Sequence, residues 1–298
     1  MSPVSTPRFL KLPPGVRRTT IETSRGAFAV LEALPGSGVP ERRPALLVPG
    51  FTGSKEDFLG VLQTLAASGR RVVSIDMRGQ YESIGGDDPS AYTRAALAED
   101  LTSLLDALGP EPAHLVGHSF GGLVCQETVL AAEAPVSSLT LMSSGPSAVT
   151  GQAATKAQML RDAIPELGMP TIWEIALGPD YGKRGLQDEI VAFIKARTLG
   201  NSETGLIGMA NEILTAADRV DDLIKHCADT GLRTLVLYGE DDDVWTPEAQ
   251  AAMAERLNAS KVVIPGAAHS PAWDAPETTA TALTTFWNRC ENPQTSSR

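Results

Sequence analysis

His114–Gly122 reads HLVGHSFGG, a short apolar run that turns at once into a glycine-flanked serine. Gly117, His118, Ser119, Phe120 and Gly121 form the pattern Gly-x-Ser-x-Gly, which alone carries little weight in a chain with 27 glycines among 298 residues. Its surroundings carry more. HLV (114–116) has the composition of a buried strand, and FGGLVCQETVLAAE (120–133) that of a helix. A sharp strand-to-helix turn forces the corner residue into a strained backbone, where a Cβ on either flanking glycine would clash. Such a turn lifts the Ser119 hydroxyl above the sheet edge and sets a helix N-terminus beneath it. The Phe120 N–H then points toward an oxyanion bound to the serine.

Strand and helix alternate along most of the chain. TTIETSRGAFAVLEAL (19–34) reads as two strands joined by a turn at Arg25–Gly26. ALLV (45–48), RVVSI (71–75), SLTLM (138–142), TLVLY (234–238) and KVVI (261–264) follow, nearly continuous in apolar residues, as strands buried on both faces are. Helical segments lie between them. One runs from Ser54 and Asp57, as a capping pair, to Gly69; another carries Leu97, Leu101, Leu104, Leu105 and Leu108 at helical spacing and stops at Gly109. This order predicts a mostly parallel sheet with helices on both faces. About ninety residues between SLTLM and TLVLY hold helix-like pieces and no strand, which predicts an inserted helical subdomain. The expected domains are a core of 1–147 and 226–298 with an insertion over 148–225. Residues 292–298 are expected to be disordered.

A serine hydroxyl needs a base to take its proton, and the chain offers four histidines. His114 precedes the strand, His118 is expected to point away inside the turn, and His226 falls in a surface helix. His269, in VVIPGAAHSPAW (262–273), sits just past the last strand, on the side where strand C-termini form the ligand crevice. It is the candidate base. An orienting carboxylate is available directly after TLVLY, where Glu240, Asp241, Asp242 and Asp243 follow one another. The order serine, acid, histidine is the one this architecture uses.

With these residues in place, the chain resembles the α/β-hydrolase family over nearly its whole length, which implies an eight-stranded sheet and a serine hydrolase with a helical cap. The family's acid commonly follows Gly-x-x-Asp after the strand, which in GEDD (239–242) selects Asp242, with Asp243 and then Asp241 as fallbacks. Pro247 comes one residue later than the family's proline. VPGFTGSKEDF (48–58) resembles the loop that supplies the second oxyanion donor, with Pro49 in place of a histidine and the Phe51 N–H as donor. DMRGQYES (76–83) resembles a further family segment, in which Asp76, Arg78 and Gly79 are read as structural. Trp245 and Trp273, beside the proposed acid and base, are candidates for the wall of an apolar acyl pocket.

The resemblance implies acyl transfer to water, on a small carboxylic ester or a related thioester, lactone or amide. A cofactor-free haloperoxidase or perhydrolase and an aminopeptidase use the same triad, and a non-catalytic small-molecule receptor on this fold is the other class. An aspartate-nucleophile enzyme is disfavoured by Ser119. No cofactor and no metal are implied. Net charge of −11 argues against nucleic acid and acidic lipid as partners. The N-terminal residues lack the apolar core of a secretory signal, no stretch reaches membrane-span length, and Cys125, Cys227 and Cys290 are too scattered for a disulfide framework. A cytoplasmic location is the expectation.

Overall fold

The runs marked by the sequence pair into one sheet in a computed structural model that describes residues 5–131 and 134–292. Its strands are β1 (Val16–Thr23), β2 (Gly26–Ala33), β3 (Arg42–Val48), β4 (Arg70–Ile75), β5 (Ala113–His118), β6 (Val136–Met142), β7 (Arg233–Gly239) and β8 (Ser260–Ile264). Their spatial order is β1-β2-β4-β3-β5-β6-β7-β8. β2 runs antiparallel to both β1 and β4, while β3 to β8 are parallel. The hairpin closes over Ser24–Arg25, one residue earlier than expected, because Thr23 pairs with Gly26. The expectation for 293–298 lies outside the described residues.

Both faces of β3 to β7 are covered along their apolar runs; β8 departs from the expectation for KVVI, because it lies at the sheet edge with Ile264 alone buried and Val263 42% exposed. Leu46 and Val48 of β3 join one core with the helices Arg94–Leu108, Phe120–Leu130 and Pro247–Arg256. Ala45 and Leu47 face the opposite core, with the helices Leu59–Ala67 and Pro276–Glu291. Cys125 is wholly buried in the first core, and burial pushes its thiol well above the ordinary value. Among the described residues no helix is long and apolar enough to cross a membrane.

The strand order reverses direction at β3, with β4 on one side and β5 on the other, and that is where a ligand crevice opens at the C-terminal ends. Val48 pairs with Gly117 across this point. The loop leaving β3 therefore starts beside the turn leaving β5, so strand register alone brings residues 49–53 to Ser119.

After β6 the chain enters five helical pieces. Gly151–Ile172 bends at Gly168 (φ 70°, ψ 154°), between Pro165 and Pro170. A π-helical turn, Trp173–Leu177, follows, then Gly178–Gly182, Asp188–Gly200 and Glu203–Thr215. Two apolar clusters of their own hold them, one around Trp173, Tyr181 and Phe193 and one around Ile164, Met169 and Leu206. The expected boundary at 225/226 falls inside the helix Val220–Thr230, whose Val220 and Leu223 belong to the main core.

Candidate active site

Ser119 stands at the corner between β5 and the helix Phe120–Leu130 with φ 54° and ψ −123°, a backbone that an L-residue adopts only when its surroundings enforce it. Three close approaches enforce it. A Cβ at Gly117 would lie 2.4 Å from the Gly121 carbonyl oxygen, and one at Gly121 would lie 2.4 Å from the Pro49 oxygen. On Gly50 it would come within 2.9 Å of the Ser119 Cβ. Phe120 is the first residue of its helix, so its N–H has no acceptor within the helix.

The Gly50–Phe51 peptide is held from one side. Gln80 is fully buried, and its Nε2 donates to the Gly50 carbonyl at 2.9 Å while its Oε1 accepts the Met77 N–H at 3.0 Å. The Gly53 N–H donates to the same carbonyl at 3.0 Å. In a planar trans peptide a carbonyl fixed on one side turns the next N–H, that of Phe51, to the other. Phe51 lines the same cavity as Ser119.

His269 Nδ1 meets Asp242 Oδ1 at 2.9 Å. The same carboxylate oxygen accepts the Val244 N–H at 3.0 Å, and Oδ2 accepts Gln250 Nε2 at 3.0 Å. Burial works against the Asp242 charge. The hydrogen bonds from His269, Val244 and Gln250 outweigh it and hold the carboxyl below its ordinary value. Asp242 is buried, whereas Asp241 and Asp243 are exposed. His118 does not simply point away: its Nε2 donates to the His269 carbonyl at 2.7 Å, and the ring lines the cavity. Burial and the neighbouring His269 pull its pKa down to about 3, so it is a neutral imidazole with its proton on Nε2. Its effect is to pin the backbone of the loop that carries His269.

Ser119, His269, Phe51 and His118 share one cavity of about 450 Å³. Trp245 and Trp273 are not in its wall. The Trp245 indole N–H donates to the Ser147 carbonyl at 3.1 Å, and that of Trp273 to the Glu56 carbonyl at 3.2 Å, so both rings pack in the interior behind the site. Side chains from the inserted helices form the wall instead, among them Leu160, Met169, Ile172 and Leu206, with Val149 and Val244 from the core loops.

A buried ion pair completes the wall. Arg197 of the helix Asp188–Gly200 donates through Nη1 to Asp57 Oδ1 at 2.9 Å and through Nη2 to the Ser5 carbonyl at 3.1 Å. Burial pushes the Asp57 carboxyl up to about 7, against the pull of Arg197. Lys55, next in the chain to the expected cap Ser54, is equally buried and contacts Asp76 at 2.7 Å and Glu82 at 2.6 Å. Of the segment DMRGQYES, Asp76 thus anchors this buried charge, Arg78 pairs with Asp100 at 2.6 Å, and Gln80 reaches the site itself.

With this geometry in hand, comparison with known proteins gives a family. A family model described as "Alpha/beta hydrolase family" matches residues 45–282. The chain belongs to the α/β-hydrolase family. A stretch of 105 residues is 36% identical to a Variovorax paradoxus protein named "Putative carbamate hydrolase RutD", covering 35% of this chain and 39% of that one. Over 96 residues it is 30% identical to a proline iminopeptidase of Clostridioides difficile, covering 32% and 33%. The matched stretches thus span less than two fifths of these relatives. A solved esterase of Thermogutta terrifontis, with malate bound, superposes with a TM-score of 0.70 at 25% identity, covering 92% of this chain and 99% of that one. The eight-stranded, mostly parallel sheet agrees with the architecture that the α/β-hydrolase resemblance implied.

Proposed function

We propose that this α/β-hydrolase is a serine hydrolase of small acyl compounds, carboxylic esters first, and that it works through an acyl-enzyme on Ser119. The observation that carries the reading is the His269–Asp242 hydrogen bond of 2.9 Å beside a cavity shared by His269 and the strained Ser119. His269 takes the Ser119 proton as Oγ bonds to the substrate carbonyl carbon, and Asp242 fixes the imidazole with its proton on Nδ1. The N–H groups of Phe51 and Phe120 hold the oxyanion; losing one such donor costs about 10²–10³ in turnover. As the tetrahedral adduct collapses, the bond to the leaving group breaks and His269 hands it the proton. Water then adds to the acyl carbon as His269 takes its proton, and the second adduct collapses by breaking the bond to Ser119 Oγ, which recovers the proton from His269 as the acid leaves. The inserted helices, from Gly151 to Thr215, serve as the cap that walls the acyl group and excludes bulk water.

A second reading, cleavage of a carbonyl–nitrogen bond, draws on the relatives named for carbamate hydrolysis and for proline iminopeptidase activity. A fluorophosphonate probe with peptide mapping tests the common core: labelling at Ser119, abolished in Ser119→Ala, is expected. A folded protein that fails to label sinks the enzyme reading and leaves a binding protein on this fold. A panel of p-nitrophenyl esters, thioesters, lactones, carbamates, aminoacyl anilides and a perhydrolysis assay ranks the substrate classes, and esters are expected to lead.

A further inference from the structure

Three large apolar side chains on the inserted helices stand in water: Met159 is 66% exposed, Leu167 45% and Ile175 65%. None of them belongs to the apolar clusters that hold those helices together. All three nevertheless line the cavity that contains Ser119 and His269, which places them at its mouth. Inside them the wall continues apolar through Leu160, Ala163, Met169 and Ile172. The backbone is irregular where this rim is built. Leu167 precedes the bend at Gly168, and Ile175 sits in the π-helical turn Trp173–Leu177, a conformation concentrated at functional sites.

Exposed apolar residues scattered singly need no explanation, but a group continuous with a ligand cavity marks the path of an apolar ligand. We propose that the rim of Met159, Leu167 and Ile175 seats the distal part of an unbranched acyl chain whose carbonyl lies at Ser119. The substrate class is then a medium- to long-chain acyl ester or thioester, monomeric in water, with a chain that extends past the cavity. The choice of occupant rests on continuity: the exposed residues and the reacting serine bound one space. This inference rests on the acyl-hydrolase reading of Ser119.

The test is the chain-length profile of p-nitrophenyl esters from acetate to laurate, all below their critical micelle concentrations. In the native protein kcat/KM rises from butyrate to laurate, by at most roughly fourfold for each methylene that the wall takes out of water. The triple variant Met159→Gln, Leu167→Gln, Ile175→Gln changes only exposed side chains, and it lowers the laurate-to-butyrate ratio at least about tenfold. A native preference for butyrate overturns the proposal, as does a variant ratio within about threefold of native. A rise seen only above the micelle concentration, or only with phosphatidylcholine vesicles, overturns it too, because the rim would then be docking on an interface. Displacement of an apolar fluorescent probe by laurate is measured in parallel on Ser119→Ala, where no turnover is required. Rim-dependent laurate binding without labelling of Ser119 removes the hydrolase reading and keeps the chain site. Labelling with a profile that ignores the rim does the reverse.

Discussion

Replacing Asp242 by asparagine tests the proposed triad at its most specific point. The carboxylate receives three donors: His269 Nδ1 and the Val244 N–H on Oδ1, and Gln250 Nε2 on Oδ2. Asparagine is the same size but has one acceptor oxygen and one NH₂. With the NH₂ toward Gln250, donor faces donor, and Gln250 cannot turn over without losing its 2.7 Å bond to the Trp245 carbonyl. With the NH₂ toward His269, it meets the Val244 N–H and forces the imidazole into the other tautomer, with its proton on Nε2, where it cannot accept from serine. Either way the negative charge that stabilises the imidazolium is gone. An aspartate in this role replaced by asparagine costs about 10⁴ in kcat, or about 5 kcal/mol of transition-state stabilisation. The assay is hydrolysis of p-nitrophenyl butyrate, with the rate of fluorophosphonate labelling of Ser119 as a second readout and a thermal melt as the folding control. Asp241→Asn and Asp243→Asn, at exposed positions, should each change kcat less than about threefold. The reasoning fails if Asp242→Asn loses less than about a hundredfold in a folded protein, or if Asp243→Asn causes the collapse instead.

Three further outcomes follow from the same geometry. Gln80→Leu removes one of the two donors on the Gly50 carbonyl, and kcat for esters should fall about tenfold or more with little change in KM and an unchanged thermal melt, since the proposed Phe51 donor acts on the transition state; a loss carried by a raised KM at constant kcat, or by a lowered melting temperature, would refute it. Gly121→Ala drives a Cβ to 2.4 Å from the Pro49 oxygen and should cost at least about 1–3 kcal/mol in urea unfolding together with loss of Ser119 labelling. Asp57 carries a folded pKa of about 7, raised from 3.8, so its contribution to stability is full below the unfolded value and is lost as pH rises through the folded one. The stability of the native protein relative to Asp57→Asn should therefore fall between about pH 4 and pH 7, by on the order of 4 kcal/mol, and a flat difference across that window in urea titrations would refute the assignment.

What the sequence makes legible is what local chemistry encodes. The parallel strands β3 to β7 announce themselves because both faces of their apolar runs are buried, whereas the edge strand β8 shows the same kind of run while mostly exposed. The corner at Ser119 is legible because only glycines fit around it, and the 2.9 Å pairing of His269 with Asp242 because both follow strands at the crevice end of the sheet. Chain adjacency misleads elsewhere. Trp245 and Trp273 neighbour the proposed acid and base in sequence, yet their indole N–H groups are claimed by the Ser147 and Glu56 carbonyls on the interior side. His118 adjoins Ser119 and was expected to face away, but its partner is a carbonyl 151 residues on. Gln80 left no signal, being one polar residue in a loop of polar residues. Asp57 and Arg197, 140 positions apart, carry no mark of their pairing before the inserted helices are placed.

Gln80, Asp57 and Arg197 act on one loop. Proline at position 49 offers neither a side-chain donor nor an N–H, so residues 49–53 must be held from outside. Gln80 and the Gly53 N–H fix the carbonyl of Gly50. At the other end of the loop, the Asp57 carboxylate accepts the Ser54 N–H at 3.3 Å while Arg197 reaches it from the inserted helices. A buried ion pair is a poor source of stability, because desolvation offsets most of its attraction, but separating it is expensive. The inserted helices therefore cannot lift away without uncovering Asp57 at the base of the loop that carries the Phe51 N–H. Position of the helices over the cavity and geometry of the proposed oxyanion donor are tied through the Arg197 guanidinium, through the Ser202 N–H, which donates at 2.8 Å to the carbonyl of Gly79 beside Gln80, and through the packing of Phe51 against the cluster of Ile164, Met169, Ile172 and Leu206.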